Sequence, residues 1–198
     1  MLFFARERLV LLSVPKTGTT AWQSALGARA SMVVRDPPEL KHAPLYRYNR
    51  FFRPMFEKFC DGPIEIVAVV REPVSWLGSW YRYRQRPFLR GKPASTEGLS
   101  FDAFVQGYLQ PTPPPWAAVG SQAAFLAPRP SGVRVDRLFR YESQDALRMF
   151  LEDRLGIAVA PERENVSPPA PLTLSPATES ALHAARAEDF ALWTSAEG

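Results

Sequence analysis

Six consecutive residues, Pro15-Lys16-Thr17-Gly18-Thr19-Thr20, crowd a lysine, three threonines and a glycine together. Backbone N–H groups at a turn that opens a helix point at one spot, at the positive end of the helix dipole, and so favour an anion there. Gly18 lets the main chain approach that anion closely. Thr17, Thr19 and Thr20 add hydroxyl donors, and Lys16 adds a mobile positive charge. Together they make a cradle for one phosphate-like group. A second candidate starts at Arg71, with Ser79 eight residues later and Tyr81 two beyond that. Arginine presents a fork of donors suited to phosphate oxygens, and a serine on the following helix can close the clamp from the other side. The third candidate is His42, whose ordinary imidazole pKa of ~6.5 suits a general base near neutral pH. His183, on a C-terminal helix pattern, is a weaker alternative. Glu72 reads as the ion-pair partner of Arg71, and Glu142, after a strand end, reads as structural.

These residues need a scaffold, and the apolar patterning supplies one. Leu9 to Val14 is a buried strand that runs into the Lys16 turn, and Thr19 can cap a helix from about Ala21 to Arg29. A short strand, Met32 to Arg35, is broken by Asp36-Pro37-Pro38, and His42 follows the break. Leu45, Tyr48, Phe52, Met55, Phe56 and Phe59 have helical spacing and predict one core-facing stripe. Ile64 to Val70 is the strongest strand. It ends on Arg71, and Pro73 opens a helix reaching about Arg84, which sets Ser79 roughly two turns along. Residues 86–98 read as a loop. Helices are predicted over 101–109, 116–126, 146–155 (stopped by Gly156) and 176–193, with a strand over 133–139. Strands alternating with helices predict a single α/β domain over 1–198 with a mainly parallel sheet flanked by helices. In such sheets ligands sit beyond the carboxyl ends of the strands, where the Lys16 and Arg71 motifs both lie.

Val14-Pro15-Lys16-Thr17-Gly18-Thr19-Thr20 resembles the 5′-phosphosulfate loop of sulfotransferases that use 3′-phosphoadenosine-5′-phosphosulfate (PAPS). Arg71, Glu72, Pro73, Ser79 and Tyr81 resemble that family's 3′-phosphate site. Trp76 stands where the family often has a second arginine. Leu40-Lys41-His42-Ala43, Gly120-Ser121-Gln122, 138–142 and 165–167 are similar to the branch of bacterial and Golgi carbohydrate sulfotransferases. The resemblance implies a P-loop-like three-layer fold and an in-line transfer of a sulfuryl group from PAPS to an acceptor hydroxyl. Lys16, Thr17, Gly18, Thr19, Thr20, Arg71 and Ser79 would hold the donor. Lys16 would act on the leaving oxygen, and His42 would be the base. No metal is implied. Two other functions stay open. A small-molecule P-loop kinase shares the strand–loop–helix opening, although its Gly-x-x-x-x-Gly-Lys-Ser/Thr motif does not occur here. A non-catalytic relative would keep the fold and bind a nucleotide.

Composition narrows the setting. The chain has 198 residues with 46% apolar and 22% charged side chains, ordinary values for one globular domain. One cysteine, Cys60, excludes an internal disulfide framework, and it reads as a buried inert thiol. Two histidines argue against a His-rich metal site. Proline clusters at 111–115 and 168–171 read as ordered surface connections. Net charge is +4, yet residues 41–92 hold 11 Lys/Arg against 4 Asp/Glu, or +7. A local excess of this kind fits an anionic ligand. The basic loop from Arg82 to Lys92, with Tyr83 and Phe88, points to an anionic or carbohydrate acceptor, not to nucleic acid. No apolar run reaches ~18 residues and residues 1–13 lack a signal-peptide pattern, so the expected location is the cytoplasm.

Overall fold

The computed structural model describes residues 1–129, 132–160 and 170–198, so the Asn165-Val166-Ser167 segment lies outside the described residues. A five-stranded sheet organises them, with strands β1 (Leu2–Phe4), β2 (Leu9–Leu11), β3 (Met32–Val33), β4 (Glu65–Val70) and β5 (Arg137–Arg140) in the order β3-β1-β2-β4-β5. β2, β4 and β5 pair in parallel, while β1 runs antiparallel to both of its neighbours. β3 therefore points the same way as β2, and β1 alone is reversed. The fold is mixed α/β with a mostly parallel sheet.

Alternation along the strands sends side chains to two cores. Val10, Leu12, Ile66, Ala68 and Val70 face one side, where they meet Leu45, Tyr48, Phe56 and Leu126. Leu9, Leu11, Val67 and Val69 face the other. There they meet Trp22 and Leu26 of α1 (Thr19–Leu26), and Leu147, Leu151 and Leu155 of a later helix, Gln144–Leu155. Helices thus cover both faces. Between them come α2 (Pro38–Lys41), α3 (Leu45–Arg47), α4 (Arg53–Cys60), α5 (Pro73–Tyr83), α6 (Phe101–Tyr108) and α7 (Gln122–Leu126). The Gln144–Leu155 helix is α8, followed by α9 (Pro176–Ala185) and α10 (Ala187–Thr194). A third cluster joins Trp76, Leu77 and Tyr81 of α5 to Phe101, Phe104 and Val105 of α6 and Leu182 of α9.

Several expectations need correction. The N-terminal residues form β1, three buried residues reversed onto β2 through a turn where Arg8 has φ 51°. The last strand starts at Arg137 instead of 133, and the helix expected over 116–126 keeps only Gln122–Leu126, because Gly120 turns the chain at φ 76°. The C-terminal helix breaks at Arg186. Cys60 is half-buried, not buried. The single stripe expected over 45–59 is divided. A π turn, Tyr48–Phe52, interrupts the helix and adds a residue to the turn, so later positions rotate out of register. Leu45, Tyr48 and Phe56 enter the core, whereas Met55 and Phe59 face outward.

Candidate active site

The chain leaves β2 toward α1 and β3 on one side of the sheet, and leaves β4 toward α5 and β5 on the other. The two connections diverge between β2 and β4, which makes the carboxyl end of that strand pair the switch point of the sheet. Pro15–Thr20 follows β2 and Arg71 follows β4, so both motifs sit there.

The loop is held by its own backbone and by aromatic side chains. Thr17 is fully buried and its hydroxyl donates to the Val14 carbonyl at 2.9 Å. Trp76 Nε1–H donates to the Pro15 carbonyl at 2.9 Å. This indole therefore fixes the loop from α5. Lys16 and Gly18 both take left-handed backbone conformations, φ 67° and 74°. For lysine that conformation is uncommon and is kept because its surroundings dictate it. Gly18 is also needed for space: a Cβ there would lie 3.1 Å from the Tyr141 ring. Gly18 is the N-cap of α1, and no side chain caps the first amides of this helix. Lys41 Nζ donates to the Thr20 hydroxyl at 3.3 Å, linking α2 to the same end of α1.

Arg71 is fixed at both its backbone and its head. Its N–H donates to Gln122 Oε1 at 2.8 Å, and Gln122 Nε2 donates to its carbonyl at 2.7 Å. Gln122 is almost wholly buried, so this pair is a rigid splint. The guanidinium lies 4.3 Å from the centre of the Tyr141 ring. Its Nε donates to Ser75 Oγ at 2.9 Å, and Nη1 reaches the Lys16 carbonyl at 3.4 Å. Ser79 is buried one turn further along α5 than Ser75, on the same face of the helix. Glu72 is not an ion-pair partner: its carboxylate caps α5 by accepting from the Val74 and Ser75 N–H groups at 3.0 and 2.7 Å. Glu142 accepts from the Glu72 N–H and from Trp193 Nε1, at 3.0 and 3.1 Å, and so braces the backbone as the sequence suggests.

The head of Lys16 rests on aromatic rings, 4.2 Å from the centre of Tyr83 and 5.5 Å from that of Trp80. Trp76, Trp80, Tyr83 and Phe88 stand edge to face in a row, with successive centroids 6.2, 5.9 and 5.9 Å apart. Burial, and then the positive charges of Arg86, Arg71 and Arg82, lower the Lys16 ammonium to about 8. Arg86 shares the Tyr83 ring with Lys16, its guanidinium 5.1 Å from the centre. Like charges this close repel one another, which adds to burial in lowering Lys16.

His42 caps the end of α2 and is half-buried. Its Nδ1–H donates to the Ser13 carbonyl at 2.7 Å, on the strand extension that leads into the loop. A carbonyl only accepts, so this contact fixes the tautomer with the lone pair on Nε2. Burial lowers its pKa below the usual imidazole range, against the opposing Ser13 bond, and the charges of Lys41, the N-terminus and Lys16 lower it further. This direction favours the neutral ring. His183 lies apart, its ring stacked on Phe190 at 3.9 Å in the α9–α10 pair.

The structure brings Lys16, Arg71 and His42 to this end of the sheet. Sequence reasoning gave Ser75 no role, quoted Gln122 and Tyr141 only within stretches of resemblance, and read Tyr83 as part of an acceptor loop instead of a seat for Lys16. Each of these acts through tertiary contact, although the spacing of Ser75, four residues from Arg71, was there to be read. A separate cavity of about 830 Å³ opens at the amino ends of the strands, lined by Arg8, Arg29, Glu65, Asp136 and Arg154. It is far from these groups and its charges are partly paired within it, Arg154 with Glu65 at 2.8 Å and Arg29 with Glu7. No family model, curated protein or solved structure matches the chain.

Proposed function

We propose that this protein is a sulfotransferase that takes the sulfuryl group of PAPS to an acceptor hydroxyl, on a P-loop-like three-layer fold. The observation that supports it most is the meeting of two cation-bearing strand ends at one switch point, with Arg71 reaching across to the Lys16 carbonyl. Two such sites fit a ligand with two separate anionic groups. The Lys16–Thr20 loop, turned by the left-handed backbone of Lys16 and Gly18, would hold the 5′-phosphosulfate. Arg71 and Ser79 would hold the 3′-phosphate.

When bound, PAPS supplies the sulfuryl group and a phosphate leaving group. The chain's residues supply charge and a proton acceptor. Lys16, its ammonium buried among arginines, donates a hydrogen bond where negative charge develops on the leaving oxygen. His42 Nε2 takes the acceptor's proton, and the Ser13 carbonyl stabilises the imidazolium that results. Glu72 holds two backbone N–H groups, and Glu142 holds the Glu72 N–H and the Trp193 indole, so His42 is the base favoured here. The Tyr83–Phe88 rings and their arginines would receive an anionic or carbohydrate acceptor. Labelled PAPS offered with a panel of saccharide and phenolic acceptors tests the assignment. Transfer to one class of hydroxyl supports it, and binding of PAPS without transfer to any acceptor would favour a non-catalytic relative.

A further inference from the structure

The π turn that divides the 45–60 helix turns three large apolar side chains outward. Phe51 is 62% exposed, Met55 39% and Phe59 78%. Met55 and Phe59 stand one turn apart on α4, and Phe51 precedes them in the π turn, which makes an exposed apolar stripe. Nothing in the site described above uses them. Exposed side chains of this size, set in a row, mark a surface that docks against something apolar.

The charges around the stripe say what that is. Residues 45–60 carry Arg47, Arg50, Arg53 and Lys58 against one acid, Glu57, and Glu57 is paired with Arg53 at 2.9 Å. Asp61 follows the end of the helix. The Arg50 guanidinium lies 5.3 Å from the centre of the Phe51 ring, and Lys58 Nζ lies 5.8 Å from that of Phe59. Each end of the stripe is therefore an aromatic ring with a cation over it. Long basic side chains lay their stems along apolar surface and keep their heads at the polar boundary. Aromatic rings with basic residues beside them on one helical face are the features of helices that lie in a membrane interface.

We infer that the Leu45–Cys60 helix docks this protein on an anionic lipid surface, Phe51, Met55 and Phe59 entering the headgroup boundary and Arg47, Arg50 and Lys58 meeting lipid phosphates. This is peripheral attachment: among the described residues no helix is long and apolar enough to cross a membrane. It stands independently of the sulfuryl-transfer reading.

The test is flotation of the full chain with phosphatidylcholine vesicles, pure or with about 30% phosphatidylglycerol. The chain is expected to float with the anionic vesicles, to stay behind with the neutral ones, and to be released as NaCl rises from about 0.1 to about 0.5 M. Phe51→Ser with Phe59→Ser is expected to lower the partition coefficient at least about tenfold. Its circular dichroism and Tm should be unchanged, since both side chains are largely in solvent. Arg50→Gln with Lys58→Gln, which leaves every apolar contact in place, is expected to erase the preference for anionic vesicles. Failure of the wild-type chain to float with anionic vesicles would overturn the inference. So would equal partition of the Phe51→Ser/Phe59→Ser variant, or a vesicle-free dimer that this variant abolishes, which would make the stripe a self-association surface.

Discussion

Replacing Arg71 by alanine probes the site at its most informative point, because it changes two quantities in opposite directions. The backbone splint survives, since Gln122 bonds the N–H and carbonyl of residue 71 and not its side chain. The structural losses are the stack on Tyr141, worth about 0.5–1 kcal/mol, and the hydrogen bonds to Ser75 Oγ and the Lys16 carbonyl, worth about 0.5–1.5 kcal/mol each. For a domain of this size each kcal/mol lowers Tm by about 2–4 °C. A charge-assisted contact to the 3′-phosphate is worth about 1.5–3 kcal/mol, so the affinity for adenosine 3′,5′-bisphosphate (PAP) should fall roughly 10- to 150-fold. Arg71 is also one of three arginines that depress Lys16. Its removal should raise the Lys16 pKa. PAP favours the ammonium form, so in the wild type its affinity should decline as pH rises through about 8. In the variant this decline should start at higher pH, although overall affinity is lower. Calorimetric titration across pH 6.5–9.5 (about three units spanning the Lys16 midpoint) reads both effects. Unchanged PAP affinity, or an alkaline decline that stays in place, would refute the picture of Arg71 as a phosphate ligand within Lys16's field.

Other perturbations follow from the same geometry. Lys16→Ala should lower kcat far more than it weakens PAPS binding, because the leaving-group charge develops in the transition state; equal losses in single-turnover rate and in affinity would contradict this. His42→Ala should leave PAP affinity nearly unchanged and lower turnover by roughly 10²-fold or more. The wild-type rate should fall only below the usual imidazole range, since burial lowers His42, and that acid limb should vanish in the variant. Gly18→Ala should cost about 1–2 kcal/mol from the left-handed backbone alone, with Tyr141 forced aside, and PAP affinity should drop with stability. Chemical denaturation and PAP titration check both parts.

Much of the frame was legible because it is local. The apolar runs 9–14 and 64–70 contain β2 and β4, and Lys16 and Arg71 follow those runs within two residues. Ser79 follows Arg71 at a spacing that helix rise alone puts near the sheet edge. The parts that were not legible depend on partners distant in sequence. Leu2–Phe4 is too short to announce itself as a strand and is defined by pairing with Leu9–Leu11. The outward turn of Met55 and Phe59, expected in the core, follows a π turn that the spacing of apolar residues cannot reveal. Gln122 is an ordinary polar residue until its side chain meets the backbone of residue 71, and Tyr141 acts on both Gly18 and Arg71 only because β4 and β5 are neighbours. Glu72 looks like a counter-ion in sequence, yet the two unsatisfied amides of α5 claim its carboxylate first.

The central claim is that two separate monophosphate sites, one at each of two neighbouring strand ends, receive the two ends of one nucleotide. Side-by-side isothermal titration of the wild-type chain with PAP and with ATP measures it most directly. PAP carries its phosphates on opposite sides of the ribose, as the Lys16 loop and Arg71 require, whereas ATP concentrates its charge in one chain. The account expects PAP to bind at least about tenfold more tightly than ATP, a difference of ~1.4 kcal/mol. Equal affinities, or tighter binding of ATP, would contradict it and return the kinase reading to first place.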